Sequence, residues 1–199
     1  MRIPLVMLML LTFAIAPQAQ QPPPAGQKPS PSGAPKSPPS GAQKSSTPAK
    51  SADSAFVMKT AQANMAEVEL GKVATEKAMR DEVKKFGQMM VDDHTKAGNE
   101  LKMIAMEKNV TWPTETDRDH KALETKLSKL SGADFDRAYM QAMVDGHKKV
   151  AADVRKESTS GSDPDVKAWA TKALPTIEGH LKQAESLNRG THSDATQHK

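Results

Sequence analysis

Two short segments of this sequence carry side chains that could bind a transition metal, and one segment nearly repeats the other. Residues 86–96 read FGQMMVDDHTK, and residues 139–149 read YMQAMVDGHKK. In both, a histidine follows a methionine by four residues inside an apolar stripe of helical spacing, which places an imidazole and a thioether on one helix face. The two pairs are Met90 with His94 and Met143 with His147.

Two more ionisable side chains interrupt apolar stripes, Glu67 ahead of these segments and His180 after them. Like His94 and His147, they lie within about three residues of the midpoint of a predicted helix, so a bundle would bring all four into a layer roughly 5 Å deep. Burying a carboxylate and three imidazoles without partners costs several kcal/mol. These side chains therefore either pair with one another or share a cation.

The donor types favour a transition-metal site. Three neutral imidazoles and a carboxylate suit zinc, Cu(II), iron or manganese, and neighbouring thioethers shift the preference toward copper, above all Cu(I). We predict a site for copper, zinc or iron. Its predicted ligands are Glu67, Met90, His94, Met143, His147 and His180. In the alternative interpretation the histidines form a buried polar network with Glu67 or backbone carbonyls, and the methionines only fill the core.

Long amphipathic helices must position these residues. Ala, Lys, Glu, Met and Leu dominate after residue 50 and strand-forming residues are sparse, so we expect an all-α domain without a sheet. Asp53 or Ser54 is expected to cap the first helix, and Asp163 the fourth, with Pro164 at its first position. The predicted long helices cover about residues 53–79, 81–109, 133–158 and 164–188.

The connections between these helices indicate how the bundle is threaded. Only a few residues separate the first helix from the second and the third from the fourth, so each pair is expected to fold back as an antiparallel hairpin. The connection at residues 110–132 is long, contains helix breakers at both ends and holds a short amphipathic segment. Two hairpins joined by one long crossover is the connectivity of a ferritin-like four-helix bundle, which is the fold we predict.

The first 50 residues differ from the rest and are expected to lie outside the bundle. Arg2, an apolar run at residues 3–16 and the small residues after it predict a signal peptide. A retained N-terminal anchor is the alternative, although this run of about 14 residues is shorter than the about 20 that span a bilayer. Residues 17–50 hold ten of the 14 prolines, which predicts disorder. The predicted segments are a signal peptide at 1–19, a disordered linker at 20–50, the helical domain at 51–189 and a disordered tail at 190–199.

Charge and composition argue against several functional classes. The net charge is +4, but the first 50 residues carry five basic side chains and no acid, which leaves −1 for residues 51–199. A domain near neutrality gives no reason to expect nucleic-acid binding. The absence of cysteine excludes disulfides, thiolate ligands and thiol catalysis. No phosphate-binding glycine loop, nucleophile elbow or HExxH motif occurs, so a non-enzymatic role is favoured.

Five short motifs occur in order along the predicted bundle. They are EVELGK at 67–72, MVDDHTK at 90–96, LSGA with FDRAYM at 130–140, MVDGH at 143–147, and LP ahead of HL at 174–181. Together they resemble a bacterial exported family, domain of unknown function 4142. The resemblance implies a ferritin-like bundle in the envelope, in a family often described as outer-membrane or membrane proteins, and no established activity. In di-iron ferritin-like proteins a glutamate precedes the metal-binding histidine by three residues. This chain has Val91 and Ile177 at the corresponding positions, which argues against ferroxidase chemistry.

These features lead to two hypotheses of different classes. The first is an exported, non-enzymatic bundle of the periplasm or outer membrane that handles a transition metal or protects against stress. The second is a structural or partner-binding bundle with a polar histidine network, whose linker contacts the envelope or cell-wall surface. A redox enzyme ranks below both. We expect a monomer or a dimer, and the sequence identifies neither the metal nor a protein partner.

Overall fold

The computed structural model describes residues 51–197, with side chains described as far as residue 192. Five α-helices and no named strand occur within that range: α1 (Ser51–Lys77), α2 (Asp81–Glu107), α3 (Arg118–Ser128), α4 (Gly132–Ser160) and α5 (Pro164–Gln197). The prediction of an all-α domain with a short helix in the crossover is confirmed. The predicted signal peptide and linker lie outside the described residues. None of the described helices combines the length and the hydropathy needed to cross a bilayer.

The four long helices pack as two hairpins, α1 with α2 and α4 with α5, as their short connections predict. The hairpins meet where α1 contacts α4 and where α2 contacts α5, and α3 lies against α1 and α4. Each long helix therefore has two neighbours in the bundle. This arrangement turns one face of every long helix toward a shared interior.

The interior consists of two apolar clusters separated by a polar layer. The first cluster includes Leu70, Phe86, Met90, Phe135 and Tyr139. The second includes Val57, Leu101, Val154, Trp169 and Ile177. Along α2, for example, His94 lies between Met90 of the first cluster and Leu101 of the second. The buried polar residues at mid-helix thus form a layer between the two apolar clusters.

α1 and α2 approach closely where two glycines face each other. A Cβ atom on Gly71 would lie 2.6 Å from the Gly87 carbonyl oxygen, and a Cβ atom on Gly87 would lie 2.9 Å from the Gly71 carbonyl oxygen. Neither position has room for a side chain. Glycine therefore occurs inside both helices, although it weakens a helix. The crossing lies about one turn from Glu67 and about two turns from His94. It therefore brings the polar side chains of α1 near those of α2.

Neither Asp53 nor Ser54 caps α1, contrary to our prediction, because both lie inside the helix. The buried Asp53 carboxylate instead accepts hydrogen bonds from two backbone N–H groups of the α4–α5 turn, at 3.0 and 3.1 Å. Asp136 of α4 makes the equivalent contact with the α1–α2 turn, at 3.0 and 2.9 Å. Asp163 caps α5 as predicted, since its carboxylate accepts from two N–H groups of the first turn at 3.0 and 3.2 Å.

The last helix extends further than we predicted. We expected it to end near residue 188 and a disordered tail to begin at 190, whereas α5 continues to Gln197. Thr191 is buried, and the Arg80 guanidinium lies so close to Gly190 that a Cβ atom there would be 2.9 Å from Nη1. Packing against the α1–α2 turn supports these added residues. This contact joins residues far apart in sequence, so the polar composition of the tail did not indicate it.

Candidate metal centre

Three histidines from three helices meet at the middle of the bundle. His94 lies on α2, His147 on α4 and His180 on α5, with 7%, 2% and 4% of their surfaces exposed. One nitrogen of each ring lies within 4.8 Å of the corresponding nitrogens of the other two. The ring centroids are 5.4 to 5.7 Å apart. The prediction that these histidines share one layer is confirmed.

Each imidazole has one nitrogen beside an oxygen acceptor. The contacts are His94 Nδ1 with Asn64 Oδ1 at 2.7 Å, His147 Nδ1 with the Met143 carbonyl oxygen at 2.9 Å, and His180 Nε2 with Asp93 Oδ2 at 2.9 Å. A carbonyl, an amide oxygen and a carboxylate oxygen accept hydrogen bonds, so each ring must donate its N–H there. These contacts select one tautomer for each neutral ring.

The other nitrogen of each ring has no hydrogen-bond partner. These nitrogens are Nε2 of His94, Nε2 of His147 and Nδ1 of His180. In the tautomers selected above, each of them carries an available lone pair. Imidazoles that bind metals are commonly arranged in this way, with one nitrogen donating to an oxygen acceptor and the other on the ion.

Burial favours the neutral form of two imidazoles in this layer, His94 and His180. Burial, followed by the nearby His147 and His180 rings, holds the pKa of His94 well below its ordinary value. Burial also lowers the pKa of His180, although the hydrogen bond that its ring donates to Asp93 opposes that shift. Metal ligation requires an unprotonated ring nitrogen. Because their pKa values are lowered, these two rings do not have to release a proton before they bind an ion near neutral pH.

Glu67 lies beside the histidines but makes weaker contacts than they do. Its Oε1 atom is 3.9 Å from His147 Nδ1, and its buried Oε2 atom has no hydrogen-bond partner. Burial raises the pKa of Glu67, and His147 partly opposes the shift. Burial is the main cause that raises the pKa of the nearby Tyr139 hydroxyl, and the Glu67 charge is the second cause. The carboxylate is thus near the layer in a position where a cation would stabilise its charged form.

The two predicted thioether ligands are Met90 and Met143. Both side chains are buried in the first apolar cluster, and neither lines the cavity next to the histidines. Met143 contributes its backbone carbonyl to the layer instead, as the acceptor for His147. The methionine sulfurs that the sequence pattern offered as ligands are packed as core side chains.

A cavity of about 130 Å³ adjoins the histidine layer. Its inner wall includes Asn64, Glu67 and the three histidines, and its outer wall includes Lys96, Trp169 and Lys172. The indole Nε1 of Trp169 donates to the Ala97 carbonyl at 3.2 Å, which fixes this wall. Since Lys96 and Lys172 are exposed, the cavity connects the buried rings with the protein surface.

Sequence reasoning missed Asn64 and left the partner of Asp93 open. Asn64 lies on α1 about one turn before Glu67, and this spacing was the available signal. Asp93 directly precedes His94 in sequence, but it orients His180 on another helix. Which histidine an aspartate reaches depends on helix packing, so the sequence left that choice open.

Comparison with known proteins identifies the family. The profile of a domain of unknown function, DUF4142, matches residues 38–187. The chain belongs to the DUF4142 family. The resemblance drawn from the five motifs is thereby confirmed, whereas a ferritin-like relationship and an outer-membrane association remain predictions. No curated protein matches the chain at a significant level.

Solved structures with a similar fold include a DUF305 fragment from Deinococcus radiodurans and CopM in its Cu(I)-bound and Cu(II)-bound forms. The DUF305 fragment aligns with a TM-score of 0.63 at 16% identity, over 71% of this chain and 99% of the fragment. The two CopM forms align with TM-scores of 0.59 and 0.60 at 16% identity, over 69% of this chain and 96% of theirs. At this identity the likeness concerns the fold alone.

Proposed function

We propose that this DUF4142 protein binds one transition-metal ion through His94, His147 and His180. The observation that carries the proposal is the set of three buried imidazole nitrogens without hydrogen-bond partners, one from each ring. Buried polar atoms are nearly always hydrogen-bonded, and three exceptions in one layer call for a physical explanation. An ion held by these nitrogens would replace the missing interactions, with the Glu67 carboxylate as an added ligand or counter-charge.

The residues present fit such an ion in both ligand type and orientation. Three nitrogen donors and a carboxylate suit Cu(II), zinc or iron. The acceptors that orient the rings are an amide oxygen, a backbone carbonyl and a carboxylate. Met90 and Met143 are left out of the proposed set because both pack in the apolar cluster. A bound ion would supply charge stabilisation and cross-link α2, α4 and α5.

Copper is the metal we favour, ahead of zinc and iron. CopM, whose fold is similar, is described in both Cu(I)-bound and Cu(II)-bound forms, and Cu(II) binds nitrogen ligands more strongly than the other divalent ions of its row. Together with the predicted signal peptide, this supports metal handling or stress protection in the bacterial envelope. A structural bundle with a histidine network is the outcome to expect if no metal binds.

Elemental analysis of full-length protein recovered from its native compartment tests the proposal. Wild type is expected to carry one metal ion per chain. A His94→Ala, His147→Ala, His180→Ala triple variant is expected to carry none. Added Cu(II) should raise the melting temperature of metal-free wild type, because a ligand at 100 times its Kd stabilises the folded state by about 2.7 kcal/mol.

The matched control is a His192→Ala variant, since this exposed histidine lies near the end of α5 and contacts the Asn188 carbonyl oxygen instead of the layer. It should keep the metal and the thermal shift, and far-UV circular dichroism should show that the triple variant keeps its helices. X-ray absorption should detect imidazole ligation in the wild type. A triple variant that binds as much metal as wild type, or a wild type whose melting ignores copper and zinc, would show that the proposal is wrong.

A further inference from the structure

The cavity beside the histidines contains a buried donor that no protein atom satisfies. Asn64 is 7% exposed and lines the cavity. Its Oδ1 atom accepts from His94, whereas its Nδ2 atom has no hydrogen-bond partner. A buried amide N–H without a hydrogen-bond partner is energetically unfavourable. Asn64 and the three histidines line the same cavity, so this unused donor and the unpartnered imidazole nitrogens belong to one site.

The cavity is large enough to hold a small molecule. Its volume is about 130 Å³, and an engineered protein cavity of about 150 Å³ holds a benzene molecule. The wall combines the apolar side chains of Val150, Trp169 and Ile177 with the polar atoms at its inner end. This combination, an apolar wall with a few convergent polar groups, is typical of a ligand site.

The charges around the cavity favour an anion once a metal is present. Two lysines and three carboxylates line it, and one of these lysines, Lys172, is paired with Glu100 at 2.9 Å. A divalent cation at the histidines changes a formal excess of one negative charge into an excess of one positive charge. A monovalent anion would restore neutrality in a site of low dielectric, where charge balance matters most.

We propose that this cavity is a second ligand site, which takes a small monovalent anion next to the metal and holds its acceptor atom with the Asn64 Nδ2–H group. The proposal rests on the proposed metal site. With Glu67 as a counter-charge rather than a ligand, three imidazoles leave one coordination position of a four-coordinate ion open. The anion occupies the space between that position and Asn64, and it satisfies the unused amide donor. The carbonyl side of Asn64 meanwhile keeps His94 in the ligating tautomer.

Azide is the probe for this site. Copper-loaded full-length protein is titrated with azide, and binding is followed by the charge-transfer absorption of the copper–azide complex and by electron paramagnetic resonance. We expect saturable binding of one azide per copper. In an Asn64→Asp variant, the remaining oxygen still accepts from His94 while the donor is replaced by a negative atom. At full copper loading, the azide affinity per bound copper should fall at least tenfold.

Two further variants locate the anion. Ala173 lines the cavity, so Ala173→Leu should fill it and abolish azide binding without removing copper. Asn99→Asp makes the same charge change at an exposed asparagine that does not line the cavity, and it should leave azide affinity within twofold of wild type.

The outcomes separate the two proposals. If wild type binds copper but azide leaves its spectra unchanged, the anion site is refuted and the metal site stands. The same conclusion follows if azide binds the Asn64→Asp and Ala173→Leu variants as tightly as it binds wild type. If wild type binds no metal by elemental analysis, both proposals fail together.

Discussion

At each of the three histidines, one hydrogen bond decides which nitrogen is available. Asn64, the Met143 carbonyl and Asp93 each occupy one ring nitrogen. Without these acceptors the rings could rotate or change tautomer, and the nitrogen that carries the lone pair would no longer be fixed. Acceptors of this kind usually contribute a factor of about 10–100 to metal affinity. The three partners are therefore as much a part of the proposed centre as the rings.

Removing one acceptor tests this role at the scale of a residue. We expect Asp93→Ala to weaken copper binding about 10–100-fold, because His180 loses the partner that orients its ring. Competition with a chelator of known affinity measures the change. Asp92→Ala is the control, since the neighbouring carboxylate faces outward and accepts from Gln88 at 2.9 Å. Equal copper affinities in the two variants would mean that Asp93 does not orient a ligand.

At the scale of the helix, the α1–α2 crossing determines how closely Asn64 and Glu67 approach the residues of α2. Gly71 and Gly87 permit the backbones to touch. Glycine lowers the intrinsic stability of a helix by about 1 kcal/mol relative to alanine, so each glycine weakens its own helix. The close contact between the two helices offsets this loss.

Replacing one of these glycines should reverse the usual effect of alanine in a helix. We expect Gly87→Ala to destabilise the domain by about 1–3 kcal/mol, because its methyl group would lie 2.8 Å from the Ala74 Cβ atom and 2.9 Å from the Gly71 carbonyl oxygen. Denaturant unfolding measures this change. Gly179→Ala on α5 is the matched control, as no atom lies within 4 Å of its added Cβ. That variant should gain up to about 1 kcal/mol, and a stabilised Gly87→Ala would contradict the close crossing.

At the scale of the whole molecule, charged residues join four long-helix ends at the α4–α5 turn. Lys108, at the end of α2, pairs with Asp163 at 2.9 Å and with Asp165 at 2.7 Å. Asp53 of α1 caps the same turn. Glu157 of α4 lies beside Asp53 and Asp163, and burial, followed by these carboxylates, raises its pKa from 4.5 to about 7. The charge of Lys156 acts against this shift.

This pKa predicts a dependence of stability on pH. Because the folded-state pKa of Glu157 lies above its ordinary value, its contribution to stability is fully present below about pH 4.5 and is lost as the pH rises through about 7. Glutamine resembles the protonated carboxyl group. We therefore expect Glu157→Gln to melt a few degrees above wild type at pH 8, with the difference shrinking at pH 5.

The control for this prediction is Glu76→Gln, which makes the same charge change at an exposed position of α1. It should shift the melting temperature little at either pH. Thermal unfolding of metal-free protein at the two pH values provides the measurement. A Glu157→Gln variant that loses stability equally at pH 5 and pH 8 would show that the carboxylate is not under repulsion.

Much of the bundle could be predicted because its causes are local. Helices that bury one face repeat apolar residues every third or fourth position, so periodicity located all four long helices. Connection lengths separated two hairpins from a long crossover. The end of α5 could not be predicted in this way, because its support comes from Arg80 on the opposite hairpin. Asp53 was misassigned for the same reason, since its acceptor role lies in a distant turn.

The sequence by itself determined that three histidines and Glu67 would share a layer, because positions near the middle of packed helices of similar length come to the same height. Only the tertiary structure decided what surrounds them. Rotation of each helix about its axis, set in part by the Gly71–Gly87 contact, turned Asn64 and Asp93 toward the rings and Met90 and Met143 into the apolar cluster. The position of a residue along its helix determines its height in the bundle. The direction in which its side chain points depends on contacts between helices.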